Sequence, residues 1–226
     1  MTQVKLSTEE QNIKIAVDAA IFTVQHDELM VLLIQMKKKP FANVWALPGG
    51  LMEQEETTEN AARRILKIQT GVSDVYLEQL GTFDDPKRDP FGRVISVAYF
   101  ALVPSEGVKL ETTDKYADVQ WWSVQKLPSL AYDHSYMVQV TLERVRAKLG
   151  YTNVIWSLLP SEFTLSQLHR MYEVVLGHSL DKRNFLRKVL HLDFVVPSGN
   201  KVSGEAHRPA ELYKFKQKKL QYVEVL

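Results

Sequence analysis

The chain has 226 residues, 45% of them hydrophobic, enough to bury the core of one domain of ordinary size and a small second one. It has no cysteine, which excludes disulfides, thiolate metal sites and cysteine nucleophiles, and leaves any metal to carboxylates or histidines. The net charge of +1 divides unevenly at Gly150: residues 1–150 carry 17 Lys/Arg against 20 Asp/Glu, and residues 151–226 carry 11 against 7, a balance of +4. A basic C-terminal piece suits nucleic-acid binding and equally an ordinary surface, so charge alone decides nothing. No stretch approaches the ~18 consecutive apolar residues of a membrane span, and polar Met1–Gln11 lacks the apolar core of a signal peptide, so the expected location is the cytoplasm.

In chain order, "IKIAVDAAIFTV" and "LMVLLIQM" are β-rich apolar runs joined by "QHDE", which predicts a strand pair. A helix follows from Thr58 to Gln69. "LEQLGTF", "GRVISVAYFALV" and "ADVQWWSV" add strands, the middle one alternating Val94, Ser96 and Ala98 with Ile95, Val97 and Tyr99. A second helix is predicted from Tyr132 to Leu149. A mixed sheet with helices against it is expected, an α/β class.

After "AKLGYTN" the pattern changes to short helices, which puts a domain boundary near Gly150. "FTLSQLHRMYEVVLG" opens on Thr164 with Gln167 three residues on, the spacing of a capping box, and closes on Gly177. Asp181 then caps a second helix, "KRNFLRKVLH". On a helical projection Arg183, Asn184, Arg187, Lys188 and His191 fall within an arc of roughly 140°. Phe185, Leu186, Val189 and Leu190 fill the other side. Arg and Asn can contact guanine and adenine edges bidentately, and Lys adds phosphate attraction; the competing reading is a solvated cationic face. "DFVVPSGNKVSGEAHRPAELYKFK" reads as strand, a turn rich in Pro, Ser and Gly, and a strand through Leu212, Tyr213 and Phe215, with Lys201, His207 and Arg208 in or beside the loop. Helix, basic helix and basic hairpin in this order make a winged helix-turn-helix. Base contact is assigned to Arg183, Asn184 and Arg187, and backbone contact to Lys182, Lys188, Lys201 and Arg208.

One motif runs from Gly50 to Val72. It resembles the Nudix box, G-x5-E-x7-R-E-U-x-E-E-x-G-U with U aliphatic, and aligns without a gap: Gly50, Glu56, Arg64, Leu66, Gly71 and Val72 match. The remaining three glutamate positions hold Ile65, Ile68 and Gln69. By the resemblance, box glutamates hold the Mg²⁺ or Mn²⁺ that neutralises a pyrophosphate, and Ile offers such a hard cation no oxygen. Glu53, Glu55 and Glu56 in the preceding loop are the carboxylates left for a weak Mg²⁺ site. The expectation is therefore no catalytic residue, no required cofactor and no metal.

"WALPGG" before the box and "AARR" within it extend the resemblance, and "LEQLGTFDDPKRDPFGRVISVAYFALVP" resembles the corresponding part of ADP-ribose-handling Nudix proteins. Arg88, Asp89 and Arg93 within it are candidates for ligand phosphates or ribose hydroxyls, with Gly49, Gly50, Glu56 and Arg64 from the box. A degenerate Nudix domain (1–150) followed by a winged helix-turn-helix (151–226) is similar over essentially the whole chain to Nudix-related transcriptional regulators of the NrtR type, including sugar-responsive relatives. The resemblance implies a Nudix α/β/α sandwich that senses a small molecule such as ADP-ribose or a sugar, in a homodimer that represses from a palindromic operator. Two other functions compete: a Nudix hydrolase with an accessory domain, and a nucleotide-binding module without DNA.

Overall fold

A computed structural model describes residues 12–73, 75–106, 108–204 and 207–226, with backbone alone at 203–204 and 207–209. β1 (Lys14–Gln25) and β2 (Glu28–Met36) form the expected hairpin, closed by a two-residue turn in which His26 and Asp27 both take positive φ. That is the turn whose twist matches the flanking strands. Two short strands absent from the expectation follow, β3 (Trp45–Ala46) and β4 (Gly49–Leu51). Next come α1 (Thr58–Thr70), β5 (Tyr76–Phe83), β6 (Val94–Leu102), β7 (Tyr116–Ser123) and α2 (His134–Tyr151). α1 begins where the Thr57 hydroxyl accepts from the Asn60 amide, and ends at Gly71, whose φ of 70° stops the helix.

The strands make one mixed sheet in the order β3-β2-β1-β6-β5, with β4 also on β1 and β7 on β2. β1 and β6 are parallel and the other pairs antiparallel. Side chains alternate along β1: Val17, Ala19 and Ile21 pack with α1, while Ala20 and Phe22 pack with α2. Helices therefore cover both faces, as in an α/β/α sandwich. β1 also changes partner along its length, pairing with β4 through residues 16–18 and with β2 through 22–25. The opening where β2 and β4 part is the place of the cavity described below.

Beyond α2, a 3₁₀ turn (Val154–Ser157) leads to α3 (Leu165–Leu176), α4 (Lys182–His191), β8 (Val195–Gly204) and β9 (His207–Phe215). The capping box at Thr164 and Gln167 is formed in both directions, and Gly177 takes φ 79° at the end of α3. Phe163 exchanges backbone hydrogen bonds with Tyr213, adding a one-residue third strand to the wing. The predicted Pro/Ser/Gly turn is corrected: residues 198–200 lie inside β8 as a bulge between Pro197, paired with Tyr213, and Lys201, with Gly199 at φ 91°, and the hairpin closes further out. Proline at 197 cannot donate onward along the ladder and Gly199 accepts the left-handed turn, so the pairing skips residues 198–200 and resumes at Lys201 instead of ending there.

No spacer separates this part from the sheet. Phe22, Leu29 and Val31 share one continuous core with Met137, Leu149, Leu168, Tyr172 and Val189. Arg170 of α3 pairs with Asp27 in the β1–β2 turn at 3.3 Å. The chain end returns along α2: the Val223 and Val225 amides donate to the Tyr151 and Gly150 carbonyls, and Asn153 binds both the backbone and the side chain of Gln221.

Candidate functional site

The first cavity, of ≈ 320 Å³, opens where β2 and β4 diverge and is lined by Asp18, Gly49, Gly50, Arg88, Asp89 and Lys115 among others. Its size falls within the ~300–1,000 Å³ of small-molecule sites. Asp18 is a carboxylate inside an otherwise apolar buried strand. The Ser96 hydroxyl donates to its Oδ2 at 2.6 Å, Arg88 Nη2 lies at 3.5 Å and His134 Nε2 at 3.7 Å. The Leu47 amide donates to His134 Nδ1 at 2.9 Å, which leaves the ring proton on Nε2, facing Asp18. Burial pushes the Asp18 carboxyl up, but His134, Ser96 and Arg88 outweigh it and hold its pKa below the ordinary value. Gly49 is required here, because a Cβ at that position would stand 1.9 Å from Asp18 Oδ1.

Arg88 is a strut in this wall. It donates bidentately to Asp133, Nε to Oδ2 at 3.0 Å and Nη2 to Oδ1 at 2.8 Å, and its side chain is 3% exposed. Asp133 precedes α2 and makes no side-chain cap bond to the helix, its carboxylate being held by Arg88. A wider cleft of ≈ 1000 Å³ shares Arg88 and Tyr132 with the first cavity and continues past Phe83, Asp84 and Tyr136. Asp89 accepts from the Phe91 amide at 2.8 Å in a local turn, and Arg93 Nη1 donates to the Asp84 carbonyl at 2.6 Å.

A second cavity, of ≈ 420 Å³, adjoins the first at Gly49, Gly50, Lys115 and Tyr116, and its other wall is the box helix. Ile65, Ile68 and Gln69 all line it. Ile65 and Gln69 are buried, and Ile68 is 42% exposed. The retained Glu56 and Arg64 hold one another, Nε to Oε2 at 3.0 Å and Nη2 to Oε1 at 2.5 Å, and Glu53 lies 3.6 Å from the same guanidinium. Hydrogen bonding from Arg64 keeps the Glu56 carboxyl below the usual range. Glu56 also accepts from the Glu53 amide at 2.8 Å, so the pair closes the loop onto the helix. The donor set does not fit a hard divalent cation, which takes six or more oxygens: Glu53 and Glu56 face an arginine, and the helix offers one amide. Among the described residues no group of three or more His, Asp and Glu could hold a metal ion.

The second candidate surface is built by α3 and α4. Phe185 packs against Tyr172 and His169, with ring centres 4.8 and 5.4 Å away, and Val189 is fully buried. The turn between the helices is fixed by His169 Nε2 donating to the Leu180 carbonyl at 3.0 Å and by Glu173 accepting from the Leu180 amide at 3.0 Å. Leu190, expected on the packed side, is 46% exposed, because the buried stripe centres between Phe185 and Val189 and Leu190 lies well round the helix from it. Lys182, Arg183, Asn184 and Arg187 are exposed and Lys188 is partly so, with Arg187 Nη2 donating to Asn184 Oδ1 at 3.1 Å. Asp181 caps the helix by accepting from the Asn184 amide at 2.7 Å. Lys182 and Arg183 thus stand in the first turn, the end where the helix dipole opposes cations. Lys201 is exposed on β8, opposite Glu211; the Arg208 and His207 side chains lie outside the described residues.

The NUDIX domain model matches residues 13–141, and the model described as the NrtR DNA-binding winged helix domain matches residues 155–215. The "ADPR responsive transcriptional repressor NtrR" of Acinetobacter baylyi is 36% identical over 204 residues, 88% of this chain and 80% of that protein. The chain belongs to the NrtR family of Nudix-related transcriptional regulators. NrtR of Shewanella oneidensis, crystallised with a 27mer DNA, superposes with a TM-score of 0.79 at 35% identity, covering 89% of this chain and 93% of that one. The NUDIX domain of the same NrtR, crystallised with ADP-ribose, superposes with a TM-score of 0.54 at 34% identity, covering 60% and 90%.

Within this NrtR-family chain, Gly49, Gly50, Arg88 and Asp89 meet in the first cavity and Gly49, Gly50 and Arg64 in the second, while Arg93 and Glu56 line neither. Sequence reasoning passed over Asp18, Asp133, His134 and Lys115. Asp18 left a signal, a lone carboxylate in "AVDAA" on a strand otherwise suited to a dry core. Among the described residues no helix is long and apolar enough to cross a membrane.

Proposed function

We propose that the chain is an ADP-ribose-responsive repressor that binds a palindromic operator as a homodimer in the cytoplasm and holds its effector in the Nudix half without hydrolysing it. The observation that carries this reading is α4, an exposed Arg/Asn/Lys face on a helix whose other side is packed into the core. Placing two cations in its first turn opposes the helix dipole, an arrangement that a facing phosphate backbone turns to advantage. Selection from a random duplex library, followed by titration at several salt concentrations with and without ADP-ribose, tests it. Paired half-sites about one helical turn or a multiple apart, ~10–10.5 base pairs per turn, are expected, with an affinity that shifts on adding ADP-ribose. Arg187→Ala should relax preference at one base pair of each half-site by ~1–3 kcal/mol. Lys201→Ala should weaken binding to every duplex and lower the salt slope by about one unit. Equal, weak affinity of wild type and Arg187→Ala for all sequences would return α4 to a solvated face.

Hydrolysis of ADP-ribose with Mg²⁺ or Mn²⁺ is expected to be undetectable or very slow. With Ile65 and Ile68 in place of carboxylates, and Glu56 held by Arg64, nothing on the box helix activates water through a metal. Product formation followed by chromatography, at about 1 per second or faster, would contradict this.

A further inference from the structure

The cavity beside the box helix has no carboxylate on its helix wall and contains a cation. Lys115, at the foot of β7, extends over β4 so that its ammonium donates to the Gly49 carbonyl at 3.2 Å and lies 5.2 Å from the Tyr116 ring centre. The Tyr116 hydroxyl donates to the same carbonyl at 2.9 Å and steadies that strand. Gly50 makes the room: a Cβ there would come within 3.0 Å of the ammonium. Among the described residues no carboxylate oxygen lies within 4.0 Å of the Lys115 ammonium. Across the cavity stands Arg64, and Gln69, almost wholly buried, lines the wall with its side-chain oxygen unpartnered. Glu53 is the one acidic lining residue, and it lies with Glu56 against Arg64, so Lys115 is the lining cation left to meet an anion.

We infer that Lys115 takes the part of the missing metal: its ammonium is the charge on which the pyrophosphate of the effector rests, between β4 and the box helix. This rests on the reading of the effector as ADP-ribose, a nucleoside diphosphate derivative. The chemistry explains binding without turnover. A divalent ion neutralises the phosphates and also activates water, whereas an ammonium supplies charge and hydrogen bonds but no Lewis acid. Gln69 lines the same cavity and its side-chain oxygen has no partner, so a small turn of the amide would let it meet a phosphate oxygen through its nitrogen or a ribose hydroxyl through its oxygen. Leaving the cavity with glutamates at 65, 68 and 69 would draw a metal in; leaving it with isoleucines and no cation would bind no anion.

Calorimetric titration of the full chain in EDTA tests this, with ADP-ribose, inorganic pyrophosphate and adenosine as ligands and Lys115→Gln and Lys115→Arg beside the wild type. Lys115 is exposed in the turn that precedes β7, and unchanged thermal melting would show both variants folded. Wild type should bind ADP-ribose without metal; Lys115→Gln should lose at least about tenfold in affinity, the loss expected of a charge-assisted hydrogen bond. Lys115→Arg should keep most of the affinity, and adenosine should not discriminate among the three. ADP-ribose binding that is equal in Lys115→Gln, or that appears only on adding Mg²⁺, overturns the assignment. If pyrophosphate binds through Lys115 and ADP-ribose does not bind, the anion site stands and the effector reading falls. If neither binds, both fall.

Discussion

Replacing Arg88 with alanine should destabilise the fold by about 3 kcal/mol at neutral pH, the cost of leaving the buried Asp18 and the part-buried Asp133 without their partner. Asp133 would lose both of its hydrogen bonds, and Asp18 one of the charges that keep it ionised. Urea denaturation of wild type and variant measures this. The folded pKa of Asp18 lies below its unfolded value, so its contribution is complete above about pH 4 and fades as the pH falls through the folded value. The penalty of Arg88→Ala should therefore shrink in acid, where Asp18 takes up a proton and needs no counter-charge. A penalty that stays constant from about pH 7 to pH 3 would mean that the pair is solvated.

Phe185→Ala should cost a similar amount, about 3–5 kcal/mol, because the ring fills the space between α3 and α4 and leaves a cavity when removed. α4 has ten residues, too few to stay helical unaided, so losing its anchor should abolish operator binding for all sequences alike. That differs from Arg187→Ala, which should alter preference with melting unchanged. Leu190→Ala, on the exposed flank, should stay within about 0.5 kcal/mol of wild type. Thermal unfolding and duplex titration on the three variants distinguish these outcomes, and a fully folded Phe185→Ala that still binds DNA would refute the anchoring role.

The features legible in the sequence were those written locally. Thr164 with Gln167, Gly177 and Asp181 each declare a helix end through bonds spanning three or four residues, and all four stand as read. The box aligned for the same reason, since the Glu56–Arg64 bond lies within one loop and helix. The rest depended on distant segments. Arg88 reads as a free cation until Asp133, 45 residues on, is folded against it. Lys115 lies 66 residues from the glycine carbonyl that receives it and carries no local mark. The bulge in β8 failed for another reason: Pro197 and Gly199 signal departure from regular pairing, and nothing nearby says whether the strand then ends or resumes. Leu190 shows that a four-residue apolar set on a short helix is wider than the stripe a neighbour can cover.

The continuous core beneath α2 and α3, clasped by the returning chain end, ties the winged half to the sheet. A wing on a tether could swing; this one shares Phe22, Leu149 and Tyr172 with the sheet, and tilting it alone would tear a close-packed interior. With one shared interior, a wing moving relative to the sheet would first have to open that core, so the two halves are expected to hold together until both unfold. Heating should accordingly give a single calorimetric transition, with the winged half and the Nudix half lost together.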